Sequence, residues 1–209
     1  LVLALALARV QSVVPVIGAR TSDGSLMRLA ESTAIMQFIF VATAFGALVT
    51  CYLTSDFSVA NVYENSHSRM PTLYKFTSTW GNHEGSMLLW VLILSLFGGL
   101  VAAFGNNLPA TLKANVLAVQ AWVATAFYLF ILFTSNPFLR LEPAPFEGRD
   151  LNPVLQDIGL AVHPPLLYLG YVGFSIAFSF AVAALIEGRI DAAWARYVRP
   201  WTLGAWMAL

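Results

Sequence analysis

The sequence predicts an all-α, polytopic integral membrane protein, and three observations carry that prediction. Of 209 residues, 58% are hydrophobic and only 11% are charged, where soluble domains average about 25% charged. The mean hydropathy is +0.72. Apolar runs recur at close to the ~20 residues that a helix needs to cross a bilayer's hydrocarbon core. The formal net charge is zero and no basic patch exists, which excludes nucleic acid as a partner and leaves lipid as the partner that composition implies. One cysteine, Cys51, rules out an internal disulfide.

About six spans follow in order, read as one membrane-embedded helical domain over 1–209 and as the N-terminal part of a longer chain. Residues 1–17 form the first, interrupted by Arg9, whose charge is expensive there unless it is paired or faces a polar interior. Residues 29–54, 86–104, 115–135 and 164–186 form the next four, and Trp201 opens a sixth. Two long loops, 55–85 and 136–163, alternate with three short ones.

The short loops carry Arg20, Arg28, Lys113, Arg189, Arg196 and Arg199. The longer stretches carry only Arg69, Lys75, Arg140 and Arg149. Positive-inside reasoning therefore places the long loops outside. His67, His83 and His163 all fall in those loops, so no predicted span contains a histidine.

The second long loop ends in Asn152-Pro153-Val-Leu-Gln-Asp-Ile-Gly-Leu-Ala-Val-His163-Pro164-Pro165. Asn152 before Pro153 reads as a helix N-cap. A short amphipathic helix on the membrane surface would then deliver His163 at headgroup level. Pro164 and Pro165 suit a helix's first turn, where N–H groups lack partners. A residue before proline is pushed to extended backbone, so His163 is expected just outside the fifth span. A neutral imidazole at an apolar surface can ligate haem iron or another metal. The competing reading is a histidine that only hydrogen-bonds at a helix start.

The second constellation is Thr77-Ser-Thr-Trp80-Gly81-Asn82-His83-Glu84-Gly85-Ser86. Its glycines permit close backbone approach. Glu84 is placed to orient His83 or to receive a cation. The plainer reading is a turn and helix start with Trp80 as an interfacial anchor. No second histidine follows His83-Glu84 four residues on, so the zinc-hydrolase motif is absent. Arg69, in Ser66–Met70, is a weak candidate for binding a carboxylate. Residues 138–150 read as a solvated connection. No Ser-His-Asp set, P-loop or CxxC occurs.

Thr79-Trp80-Gly81-Asn82-His83-Glu84-Gly85-Ser86-Met87-Leu88-Leu89-Trp90 resembles a signature of the CcmF/NrfE haem lyase family. So do the segment from Leu151 to Tyr168 and Gln11-Ser12-Val13-Val14-Pro15, in the same order along nearly the whole chain. The resemblance implies a haem lyase (cytochrome c synthetase) subunit of cytochrome c-type biogenesis in the bacterial inner membrane, with long loops facing the periplasm. It implies haem received from the chaperone CcmE and positioned for thioether attachment to the CxxCH motif of apocytochrome c. CcmH and CcmG are the thiol-handling partners. It makes His163 an axial ligand of the incoming haem, with Trp80, His83, Glu84, Pro164, Pro165 and Tyr168 as support. No catalytic residue is assigned. The family's tryptophan-rich segment, second periplasmic histidine and transmembrane histidines are expected to lie outside this chain. Two other classes stay open: a membrane transporter, and a scaffold that docks partners on its loops without haem chemistry.

Overall fold

The computed structural model describes residues 1–209, the side chain of Leu160 excepted. Among the described residues it is helical, without a strand. Helices α1 (Val2–Thr21), α2 (Gly24–Leu53), α5 (His83–Phe104) and α6 (Ala110–Thr134) are each long and apolar enough to cross a membrane. A fifth such stretch, Ala161–Glu187, runs through α7 (Ile158–Tyr171) and α8 (Phe174–Glu187). Short α3 (Ala60–Asn65) and α4 (Thr72–Ser78) lie in the first long loop, and α9 (Ala192–Ala208) closes the chain.

Local chemistry sets the ends. The α1–α2 turn is tight because Asp23 caps α2, its carboxylate accepting from the N–H groups of Ser25 at 2.8 Å and Leu26 at 3.3 Å. Those bonds and the Ser25 hydroxyl hold the Asp23 carboxyl below its ordinary range. The cap begins α2 at Gly24, five residues before the apolar run itself. At α5, Asn82 is the cap, accepting from the Gly85 N–H at 2.8 Å.

Helix α6 is the hub. Every residue from Leu112 to Ala121 is buried, because α1, α2, α5 and α8 all pack around it. Three buried glutamines tie these helices together. Gln37 donates to Gln11 Oε1 at 2.6 Å, and Gln11 donates to the Leu117 carbonyl at 2.8 Å. Gln120 donates to the Leu94 carbonyl at 3.1 Å and to Ser175 Oγ at 2.9 Å, while Ser179 donates to Gln120 Oε1 at 2.9 Å. In hydrocarbon, each of these groups needs such a partner.

Arg9 is exposed on α1, outside this polar interior. The five candidate spans fall short of the expected six. Helix α9, which holds Trp201, packs against α7 and α8 and is 17 residues long with Arg196 and Arg199 on it, so a sixth span is not confirmed.

The largest correction concerns His163. It lies inside α7 and inside the fifth candidate span, so a span does contain a histidine. Asn152 caps only a single 3-10 turn, Pro153–Leu155. The α-helix begins after Asp157, whose carboxylate accepts from the Gly159 N–H at 2.8 Å. Pro164 and Pro165 are therefore interior to a helix that starts a turn and a half earlier. The preference for extended backbone before proline is a bias that an upstream cap can override.

The two long loops meet at one end of the bundle. Val59 and Arg140 form an antiparallel bridge. Ala60 N–H donates to the Leu139 carbonyl at 2.8 Å, Leu141 N–H to Ser58 at 2.8 Å, and Arg149 N–H to Tyr63 at 2.7 Å. Residues 138–150 are thus a connection that is paired to the first long loop and still mostly exposed to solvent. Gly148 permits the closest contact, since a Cβ there would run into the Ser66 carbonyl. The carboxylate in this region is bound by Ser68, not Arg69: Glu147 accepts from the Ser68 N–H at 2.9 Å and hydroxyl at 2.6 Å.

Candidate functional site

At the long-loop end sits a cavity of about 340 Å³, walled by Trp80, His83 and Ser86 on one side and by Leu151, Ala161 and Pro164 on the other. The two sequence constellations therefore face each other across one space. Their direct link comes from a proline. Pro165 has no N–H to give the Ala161 carbonyl four residues back. The Trp80 indole N–H takes that place, donating to the Ala161 oxygen at 3.0 Å. Phe76 meets the Trp80 ring edge-on at 5.0 Å, and Phe45 stacks on it at 6.5 Å.

His83 occupies the first position of α5. Its Nε2 pairs with Ser135 Oγ at 3.0 Å, and its ring meets Phe130 edge-on at 6.3 Å. Glu84 does not orient it. Glu84 Oε2 instead accepts from Asn61 at 3.3 Å, as part of a network centred on Asn82. Asn82 donates to the Tyr52 hydroxyl at 2.9 Å and to the Ser78 carbonyl at 2.8 Å, and accepts from Asn61 at 2.7 Å. Tyr52 in turn donates to Asn61 Oδ1 at 2.7 Å. The ends of α2 and α5 are thereby locked to α3 and α4. Gly85 is required where it stands, because a Cβ there would collide with the Thr79 carbonyl.

Tyr168 hydrogen-bonds to Ser86 through its hydroxyl. Its ring lies 5.9 Å from Trp90 and 5.5 Å from Tyr171. His163 stands apart from this packing. It is exposed, does not line the cavity, and has no hydrogen-bond partner among the described residues. Its exposed neighbours on α7 are Ile158, Val162 and Leu166. Trp80, His83, Pro164 and, through Ser86, Tyr168 are thus assembled together, while His163 presents a free imidazole on an apolar outer face. Among the described residues no cluster of three potential metal-ligating side chains occurs.

Sequence reading missed Tyr52, Asn61 and Ser135, which hold the site from distant segments. Only Asn61 offered a signal, as an amide in the same loop as Asn82 and able to pair with it.

The fold and this site define a multi-pass membrane protein with an aromatic- and histidine-lined chamber at the end covered by its long loops. Residues 80–209 match the family described as Cytochrome C assembly protein, and the chain belongs to that family. The biogenesis protein CycK of Bradyrhizobium diazoefficiens is 75% identical over 209 residues, which is 100% of this chain and 32% of that protein. CcmF of Escherichia coli (strain K12) is 50% identical over 210 residues, again 100% and 32%. A solved structure titled Cytochrome c Heme Lyase CcmF superposes with a TM-score of 0.82 at 30% identity, covering 98% of this chain and 32% of that one. The chain spans about a third of the length of the curated relatives it matches.

Proposed function

We propose that this chain supplies a haem-receiving platform for cytochrome c maturation. The observation that carries the reading is the exposed, unpartnered imidazole of His163 on an apolar helix face, two residues past the Trp80–Ala161 link. A haem group fits that arrangement: imidazole is an iron donor, and Ile158, Val162 and Leu166 offer apolar surface to a porphyrin face. Because His163 sits in a span rather than a loop, the haem would lie at the membrane's edge, against α7. Bound there, the cargo haem supplies the vinyl groups to which the cysteine thiols of a CxxCH motif add.

This chain's own residues hold and orient. Trp80 fixes the first turns of α7, and therefore the position of His163, by satisfying the Ala161 carbonyl. Asn82 and Gly85 fix Trp80 and His83 by setting where α5 starts. Positioning of this kind can supply much of an attachment rate. The long-loop end faces the periplasm of the inner membrane in this reading. The basic short loops support that orientation. A CcmE-type chaperone would deliver haem, and CcmH- and CcmG-type proteins would present the apocytochrome thiols.

The test is the full-length protein, wild type beside His163→Ala, co-expressed with its haem chaperone and examined by haem stain and absorbance. The variant is expected to lose at least one haem population while still inserting. Equal haem in both, with normal cytochrome c maturation, sinks the assignment and brings forward a docking scaffold without haem chemistry.

A further inference from the structure

At the opposite end of the bundle, a second cavity of about 390 Å³ opens between α1, the start of α6 and the turn after α8. Arg20, in the last turn of α1, and Arg189, just past α8, both line it. Two guanidiniums from separate elements thus converge on one space. Neither is ion-paired among the described residues, although Lys113, Arg140 and Arg149 all are.

The remaining polar wall has acceptors. Glu187 ends α8, and its Oε1 accepts from Asn115 Nδ2 at 3.2 Å. Asn115 is only 3% exposed, yet its Oδ1 has no partner. Ile186 lines the same cavity, immediately before the charged turn. The site therefore sits where an apolar span gives way to charge, at the depth of lipid headgroups.

We propose that this cavity seats the headgroup of an ethanolamine phospholipid, with the phosphodiester between Arg20 and Arg189 and the ammonium at the Glu187 carboxylate. Two donors of fixed positive charge suit a phosphate, and basic pockets between transmembrane helices are known headgroup sites. The carboxylate selects the class. A purely anionic headgroup would meet Glu187 as a like charge, whereas an ammonium pairs with it. This assignment is independent of the haem reading, since it concerns the other end of the molecule.

The experiment is quantitation of lipids retained by full-length protein after mild detergent extraction, using native mass spectrometry. Wild type is expected to keep phosphatidylethanolamine. The Arg20→Ala/Arg189→Ala double variant is expected to lose about tenfold or more of that occupancy. Arg20→Lys/Arg189→Lys, which keeps the charge, should retain most of it and so separates lost binding from lost folding. Glu187→Gln should shift retention toward phosphatidylglycerol. Equal phosphatidylethanolamine in wild type and the alanine double variant overturns the site. No retained lipid in wild type does the same. Displacement of the lipid by millimolar inorganic phosphate would reassign the cavity to a free anion, and an unchanged preference in Glu187→Gln would remove the ammonium from Glu187.

Discussion

The long-loop end and the middle of the bundle solve the same problem with different materials. Both must satisfy polar groups away from water. In the middle, three glutamines from α1, α2 and α6 reach carbonyls and side chains on neighbouring helices, and the rest is apolar packing that includes the buried rings of Tyr128 and Phe180. At the long-loop end, the partners come from loops as well as helices. The Asn82 network gathers Tyr52, Asn61 and Ser78, and Trp80 reaches 81 residues along the chain to Ala161. The middle is expected to be redundant, with the helices still packed when one glutamine is removed. The loop end is not, because each bond fixes a different segment, and a cavity lies between them.

That difference is broken most sharply at Gly85. A side chain there meets the Thr79 backbone carbonyl rather than a movable side chain, so the start of α5 must shift. Gly85→Ala is expected to cost about 3 kcal/mol and to reduce haem retention and cytochrome c maturation in the full-length protein strongly. Thermal unfolding in detergent, alongside haem absorbance, measures both. A variant of wild-type stability and haem content would show that the loop end tolerates what its packing forbids.

Trp80→Phe is milder and more specific. The ring packing against Phe76 survives, but the Ala161 carbonyl, freed by Pro165, loses its donor. An orphaned buried carbonyl costs about 2 kcal/mol. Haem capture should fall, and restoring Pro165→Ala in the same chain, which returns an N–H to Ala161, should recover part of the stability. If the double variant is no more stable than Trp80→Phe alone, the indole N–H does not substitute for the proline's missing donor.

The spans were legible because composition and length determine them: α2, α5 and α6 sit on the apolar runs that announce them. Boundaries drifted where a single polar side chain extended a helix, as Asp23 does for α2. The start of α7 was misplaced for the same reason. Pro164 and Pro165 are loud signals and Asp157 a quiet one, yet the quiet one begins the helix. Within the site, Trp80, His83, Pro164 and Tyr168 were legible as one constellation or the other. That the constellations touch was not. Nothing in either segment records that the carbonyl freed by one proline is satisfied by an indole in the turn between α4 and α5. Tyr52 and Ser135 were invisible because each ends an apolar run and reads there as an ordinary interfacial residue.

The middle of the bundle predicts a smaller effect. Gln120→Leu removes bonds to Leu94, Ser175 and Ser179, but Ser179 keeps its own bond to the Ser175 carbonyl at 2.8 Å. Interhelical hydrogen bonds in membranes average about 0.6 kcal/mol, so the loss should be about 1 kcal/mol, with haem content at the loop end unchanged. A drop in haem content as large as that of Gly85→Ala would mean that the two regions are coupled and the contrast between them is false.

The smallest effect separates the pairing of the two long loops from the cavity near it. Glu147 is on the surface, yet bonds from the Ser68 hydroxyl and N–H hold its carboxyl at about 2, against an ordinary 4.5. A carboxyl whose folded value lies below its unfolded one stabilises the folded form above the unfolded value and loses that contribution as pH falls through the folded one. The link between the two loops should therefore be complete above about pH 4.5 and should fade between there and about pH 2. Spin labels on Arg69→Cys and Phe146→Cys, in a Cys51→Ser background, report it as a distance distribution. Wild type should stay narrow down to pH 4.5 and broaden below, and Glu147→Ala should be broad throughout. Because the backbone bonds of Ser58, Ala60 and Tyr63 to the second loop do not titrate, the Asn82 network and the cavity should survive this loosening. Wild-type loops that already separate at pH 6 would place the control of their pairing on some group other than Glu147.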